Sequence, residues 1–132
     1  MTNLDLFLID YDIYRKNSNW WLELTDIFLN PGLRFRASFE RDQTNILEKF
    51  FDYGCKLEIS YEKNLTNVDC LISKEMIRNF MENYKVMLGY DIDYYSPFFT
   101  LEIGYQYCSA RHGSDIYLTD LNNDELKKYW RL

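Results

Sequence analysis

The chain reads as a single α+β domain over residues 1–132, with a mixed or mainly antiparallel sheet and helices packed mainly on one of its faces. Three observations carry that expectation. Apolar residues recur at helical spacing in some stretches and at a period of two in others, in the order β-α-β-α-β-α-β-β-(β)-α. The strand patterns keep polar residues on one face, whereas strands buried in a parallel sheet read as continuous apolar runs. No proline-, glycine- or serine-rich linker divides the chain, and a chain of this size buries roughly two thirds of its unfolded surface, enough for one core.

Each element has its own signal. Residues 4–14 read as a strand, with Ile9, Tyr11 and Ile13 on one face and Asp10, Asp12 and Tyr14 on the other. Asn19 can cap a helix in which Leu24, Ile27 and Phe28 follow the Trp20–Trp21 pair, and Pro31 with Gly32 ends that helix at about Leu29. Leu33, Phe35, Ala37 and Phe39 then alternate with Arg34, Arg36, Ser38 and Glu40, the clearest strand in the chain. Asp42 is the expected cap of a second helix with Ile46, Leu47, Phe50 and Phe51 as its stripe, and Gly54 stands where a left-handed C-terminal residue belongs. Cys55, Leu57, Ile59 and Tyr61 alternate with Lys56, Glu58, Ser60 and Glu62 as a third strand.

Residues 63–67 read as a polar loop, and 68–72 equally as a short buried strand or as the lead-in to a helix. Ser73 caps the longest helix, whose stripe is Ile77, Phe80, Met81, Tyr84 and Leu88 and whose end is Gly89. Residues 90–95 and the long alternating run 99–107, joined through Ser96–Pro97, suggest a hairpin. A loop follows over 110–114, then a short strand at 116–118 and a last helix capped by Asn123.

Composition narrows the function. With 21 acidic against 15 basic residues the net charge is −6, and no cluster of Lys and Arg exists to neutralise a phosphate backbone, so direct nucleic-acid binding is not expected. The same sign favours a basic protein surface as partner. The first ten residues carry Asp5 and Asp10 and no basic segment, and no apolar run reaches the ~18 residues that span a bilayer, so the protein is expected in the cytoplasm and off the membrane. Three cysteines, Cys55, Cys70 and Cys108, are odd in number and lack a C-x-x-C pair, which fits reduced thiols. Twelve Tyr, nine Phe and three Trp make 18% of the chain, a content that suits half-exposed interfaces and also follows from a codon bias toward these residues.

Catalytic signals are thin. Cys108 with His112 is the closest approach to a metal or Cys-His constellation, and His112 is the single histidine, so neither a metal nor a catalytic residue is assigned and no cofactor is expected. No phosphate-binding glycine loop, nucleophile elbow or H-E-x-x-H motif occurs. One pattern recurs: Asp10-Tyr11-Asp12-Ile13-Tyr14 and Asp91-Ile92-Asp93-Tyr94-Tyr95 both read D-x-D-x-Y. On a strand it sets two carboxylates and a phenol in line at a pitch of roughly 6.6–6.8 Å, a spacing that can imitate a phosphate backbone. Asp10, Asp12, Tyr14, Asp91, Asp93 and Tyr95 are therefore the expected partner-binding residues, and Glu58 and Glu62 are expected to matter little.

The stretch Leu29-Asn30-Pro31-Gly32-Leu33-Arg34-Phe35 is similar to a Leu-Asn-Pro-Gly-Phe-Arg segment in the immunity protein of a tRNA-cleaving colicin. The chain thus resembles bacterial immunity proteins of the contact-dependent-inhibition, polymorphic-toxin and colicin type. From Arg36 to Glu40 its charge pattern departs from that segment. The resemblance implies a stoichiometric complex with a basic toxin, a nuclease in the colicin case, whose active site is occluded, and no chemistry of the chain's own. A phage inhibitor of a defence nuclease fits the same traits. An alternative from another class is a small-molecule-binding or enzymatic domain with an aromatic cleft, using Tyr105, Tyr107 and His112 at its mouth. Oligomeric state stays open.

Overall fold

The computed structural model describes residues 4–7, 20–88, 96–113, 115–122 and 124–125, with 4–7, 20 and 85–88 described through their backbone alone. Within them lie strands β1 (Leu4–Phe7), β2 (Arg34–Glu40), β3 (Glu58–Glu62), β4 (Leu65–Leu71), β5 (Thr100–Ile103), β6 (Tyr107–Ala110) and β7 (Asp115–Leu118), and helices α1 (Trp20–Phe28), α2 (Thr44–Phe51) and α3 (Lys74–Leu88). The strands form one sheet in the order β1-β7-β6-β5-β2-β4-β3, every neighbouring pair antiparallel.

All three helices cover the same face of the sheet. On β2, Phe35, Ala37 and Phe39 point into the core, and the register sets Cys70, Val68 and Thr66 of β4 beside them on one side and Ile103 and Leu101 of β5 on the other. Tyr107 and Ser109 of β6 and Ile116 and Leu118 of β7 continue the same buried face. Phe98, just before β5, is the hub of this layer. Its ring centroid lies 5.1–6.4 Å from those of Trp21, Phe35, Phe39, Phe50, Phe80 and Tyr84, so every helix meets it. Aromatic pairs at such distances add about 0.5–1.5 kcal/mol each beyond area burial. Much of the aromatic content is thus spent inside: Phe28, Tyr53 and Tyr84 are buried as well.

Local chemistry explains the boundaries. After α1, Leu29 N–H bonds back to the Asp26 carbonyl at 3.2 Å. Gly32 at φ +84° then turns the chain and donates to the Ile72 carbonyl at 3.0 Å, so the Pro31–Gly32 stop also ties the start of β2 to the end of β4. Ser73 caps α3 as expected, its Oγ accepting the Met76 N–H at 3.1 Å, and Gly54 is left-handed at φ +66°.

Several expectations need correction. Asp42 is not a side-chain cap: Gln43 holds the cap position of α2 without a side-chain bond, and backbone carbonyls of Asp42 and Gln43 take the first N–H groups. Phe51 falls off the stripe of α2 and is 61% exposed, because the helix turns Ile46 and Phe50 into the core with Leu47 packed beside them. Residues 65–67 are not loop. A turn at Lys63 and Asn64, with Lys63 at φ +48°, joins β3 directly to β4. The stripe of α3 begins one residue early: Met76, Phe80 and Tyr84 are buried at four-residue spacing, with Ile77 and Met81 at its flank. The run 99–107 is two strands, since Gly104 at φ +54° bends the chain and β5 and β6 form the hairpin within it. Ala110 belongs to β6, and β7 starts at Asp115. Asn122 makes a capping box with Glu125: its side chain accepts the Glu125 N–H at 2.8 Å, and the Glu125 carboxylate accepts the Asn122 N–H at 3.2 Å, while the expected cap Asn123 lies outside the described residues. Asn19, Gly89, residues 8–14 and the 90–95 half of the expected hairpin lie outside the described residues.

Candidate functional site

Among the described residues, no helix covers the other face of the sheet over β2, β3, β4 and β5. Alternation sends Arg34, Arg36, Ser38 and Glu40 of β2 to it, and the register lines up their neighbours in rows. One row runs Glu58, Asp69, Arg36, Glu102, Cys108, Tyr117 from β3 to β7. The next is neutral: Ser60, Asn67, Ser38, Thr100. A third runs Glu62, Leu65, Glu40. Between these rows lies a shallow groove of about 440 Å3, walled by Arg36, Glu58, Glu62, Asp69 and Glu102 and floored by Ser38 and Asn67.

Charge on this face is unbalanced. The guanidinium of Arg34 makes a two-pronged contact with Asp69, Nε to Oδ1 at 3.0 Å and Nη2 to Oδ2 at 2.5 Å, and Arg36 pairs with Glu102. The bond from Arg34 holds the Asp69 carboxyl below the usual carboxylate range and in turn raises Arg34. Glu58 sits directly opposite Asp69 on the neighbouring strand, a like-charge pairing that Arg34 and Arg36 offset. His112 Nε2 lies 3.9 Å from Glu40 at the far margin. Glu58 and Glu62 have no ion pair among the described residues. Two guanidiniums, both engaged, therefore stand against the carboxylates of Glu40, Glu58, Glu62, Asp69 and Glu102. Ser38 is buried in the floor because its hydroxyl meets that of Thr100 at 2.5 Å.

On the helix side, polar groups are consumed by structure. Trp21 Nε1–H donates to Ser109 Oγ at 3.0 Å; Thr25 Oγ1 lies 2.5 Å from the Tyr107 hydroxyl and donates to the Trp21 carbonyl at 2.7 Å. The Tyr53 hydroxyl donates to Tyr84 at 3.3 Å and accepts from Asn83 at 3.0 Å. Burial pushes the phenols of Tyr53, Tyr84 and Tyr107 up, and the thiols of Cys70 and Cys108 likewise, the opposite of what activates a nucleophile. Among the described residues no three metal-ligating side chains gather, and no helix is long and apolar enough to cross a membrane.

The expected partner-binding residues Asp10, Asp12, Tyr14, Asp91, Asp93 and Tyr95 lie outside the described residues. The aromatic mouth does not assemble. Tyr105 is 74% exposed in the turn between β5 and β6, Tyr107 is buried against Thr25, and His112 sits beyond the other end of β6 with Nδ1 3.1 Å from the Ser96 carbonyl. Glu58 and Glu62, set aside in the sequence, are the residues that strand order carries into the acidic groove. Their alternation was visible; what placed them beside Arg36 and Glu102 was the pairing of β3 with β4, β4 with β2 and β2 with β5. Comparison with known proteins finds no matching protein family, curated protein or solved structure.

Proposed function

We propose that this chain is an immunity-type protein, one that binds a basic protein toxin, a nuclease being the favoured class, and neutralises it by covering its active site. The observation that carries this reading is the sheet face that no helix covers among the described residues, on which Glu40, Glu58, Glu62, Asp69 and Glu102 outnumber two already paired arginines. A cationic surface gains there without displacing internal ion pairs. Long-range attraction chiefly accelerates encounter, and exposed apolar side chains close to the face then lower the dissociation rate. Tyr117, in the same row as Glu102 and Cys108, suits that second role, since it offers an apolar ring with a hydroxyl at its tip. The buried polar network supports the companion claim that the chain has no chemistry of its own, because each hydroxyl and indole named above already has a structural partner.

The test is co-expression with the product of the adjacent upstream gene, followed by size-exclusion chromatography and toxin assay of the isolated complex. A one-to-one complex with the toxin silenced is the expected result. Association should slow by roughly tenfold or more in E58K/E62K and lose much of its salt dependence. A gene without a toxin-like neighbour, or a neighbour that ignores this chain, removes the reading. Capture of a host defence nuclease instead would assign the chain to phage inhibitors.

A further inference from the structure

The edge strand β3 is built for a second strand. It stands last in the sheet, pairs with β4 alone among the described residues, and is exposed at all five positions. Edges are normally blunted by short strands, charged side chains, proline, a bulge or an inward-pointing charge. β3 has no proline, bulge or inward-pointing charge, and its edge charges are the two glutamates Glu58 and Glu62: its register with β4 runs unbroken from Glu58↔Asp69 to Glu62↔Leu65, and the side chains on its core side are Ile59 and Tyr61, 36% and 52% exposed. Its sequence, Glu-Ile-Ser-Tyr-Glu, reads the same in both directions in polarity. Pairing with a second copy, antiparallel about Ser60, would set Glu58 against Glu62 twice, so like charge discourages self-association there. The same arrangement favours a strand with Lys or Arg at those two places.

We infer that β3 receives an extended cationic segment of a partner protein by strand addition, with basic side chains facing Glu58 and Glu62 along the acidic groove and apolar ones facing Ile59 and Tyr61. Main-chain hydrogen bonds hold the segment, and the alternation selects it. Arg34 and Arg36 are engaged by Asp69 and Glu102, which leaves the two β3 carboxylates to do the selecting. Lys56 and Lys63 lie outside the strand at its two ends and confine the cationic register to the five paired positions. The inference rests on the protein-binding reading and adds to it the partner's element and its charge pattern.

The probe is a cyclic hairpin peptide displaying Lys-Val-Thr-Val-Lys on its outer strand, a palindrome that suits either strand direction, titrated into the 15N-labelled full chain. Saturable shifts and slowed amide exchange centred on β3 are expected, with an otherwise identical Glu-Val-Thr-Val-Glu peptide about tenfold weaker or more. N-methylation of the peptide's outward amides should abolish binding without altering the protein. In E58K/E62K the preference between the two peptides should invert, a readout that a merely unfolded variant cannot give. No binding, shifts confined to β2 and β5, indifference to N-methylation, or a concentration-dependent dimer through β3 would each overturn strand addition. A toxin complex that leaves β3 exchange unchanged would sink this inference while keeping the proposed function; peptide addition without any toxin partner would do the reverse.

Discussion

β2 and β3 announce themselves in the sequence by the same pattern and meet opposite fates. Both alternate apolar and polar residues without a break, Phe35-Arg36-Ala37-Ser38-Phe39 in one and Leu57-Glu58-Ile59-Ser60-Tyr61 in the other. β2 lies inside the sheet between β5 and β4, and its apolar face meets α2, α3 and Phe98; β3 is the last of the described strands, and its Ile59 and Tyr61 stay exposed. A period of two decides which side chains share a face. Whether anything covers that face is decided by strand order, which is a long-range property.

That contrast can be broken by measurement. The largest effect should come from Phe35→Ala, which empties a site ringed by Phe50, Phe80 and Phe98 at 5.7–6.2 Å and should cost about 3–5 kcal/mol in denaturant unfolding. Ile59→Ala, the same kind of truncation on β3, should cost less than about 1 kcal/mol. Equal losses would mean that β3 is covered after all.

Next in size is Tyr107→Phe, which removes a hydroxyl 2.5 Å from Thr25 in full burial and should cost about 1–2 kcal/mol by chemical denaturation. The buried phenols also set an alkaline limit. Their folded values lie above the unfolded value near 10, so the stability they confer is intact below about pH 10 and is lost as pH rises through the folded values. Phenolate absorbance should therefore show Tyr53, Tyr84 and Tyr107 titrating only together with loss of the fold.

The smallest effects belong to the open face. Asp69 has its carboxyl lowered by Arg34, so its contribution is present above about pH 4 and disappears as pH falls through the lowered value. Asp69→Asn should cost a few tenths of a kcal/mol at neutral pH, less in high salt, because the partner guanidinium is largely exposed. A double-mutant cycle on Arg36 and Glu102 should give a coupling below about 1 kcal/mol. A larger value would mean that this face is more rigid and drier than its exposure indicates.

Elements with local causes were legible. The Pro31–Gly32 stop, the Ser73 cap, the Gly54 turn and the α+β class itself follow from residues within a turn or two of one another. β4 was half hidden because Thr66, which is buried, and Asn67, which floors the groove, both read as polar loop. β5 and β6 merged into one run because Tyr105 keeps the alternation going through a turn that only Gly104 betrays. The candidate face was legible as charge and illegible as a place. Glu58, Arg36 and Glu102 come from three strands, and their row exists only once those strands are ordered.

The pairing of β1 with β7 has a consequence for synthesis. Leu4 finds its partner in Leu118, so β1 must wait for β7, more than a hundred residues later, to leave the ribosome. At about 5–20 residues per second that interval is roughly 6–23 s, long against the microseconds in which the β3–β4 hairpin can close. The nascent sheet therefore starts as β2-β4-β3 with two bare flanks. Emergence of β5 covers the flank on β2, and the flank on β3 is the one that stays open among the described residues.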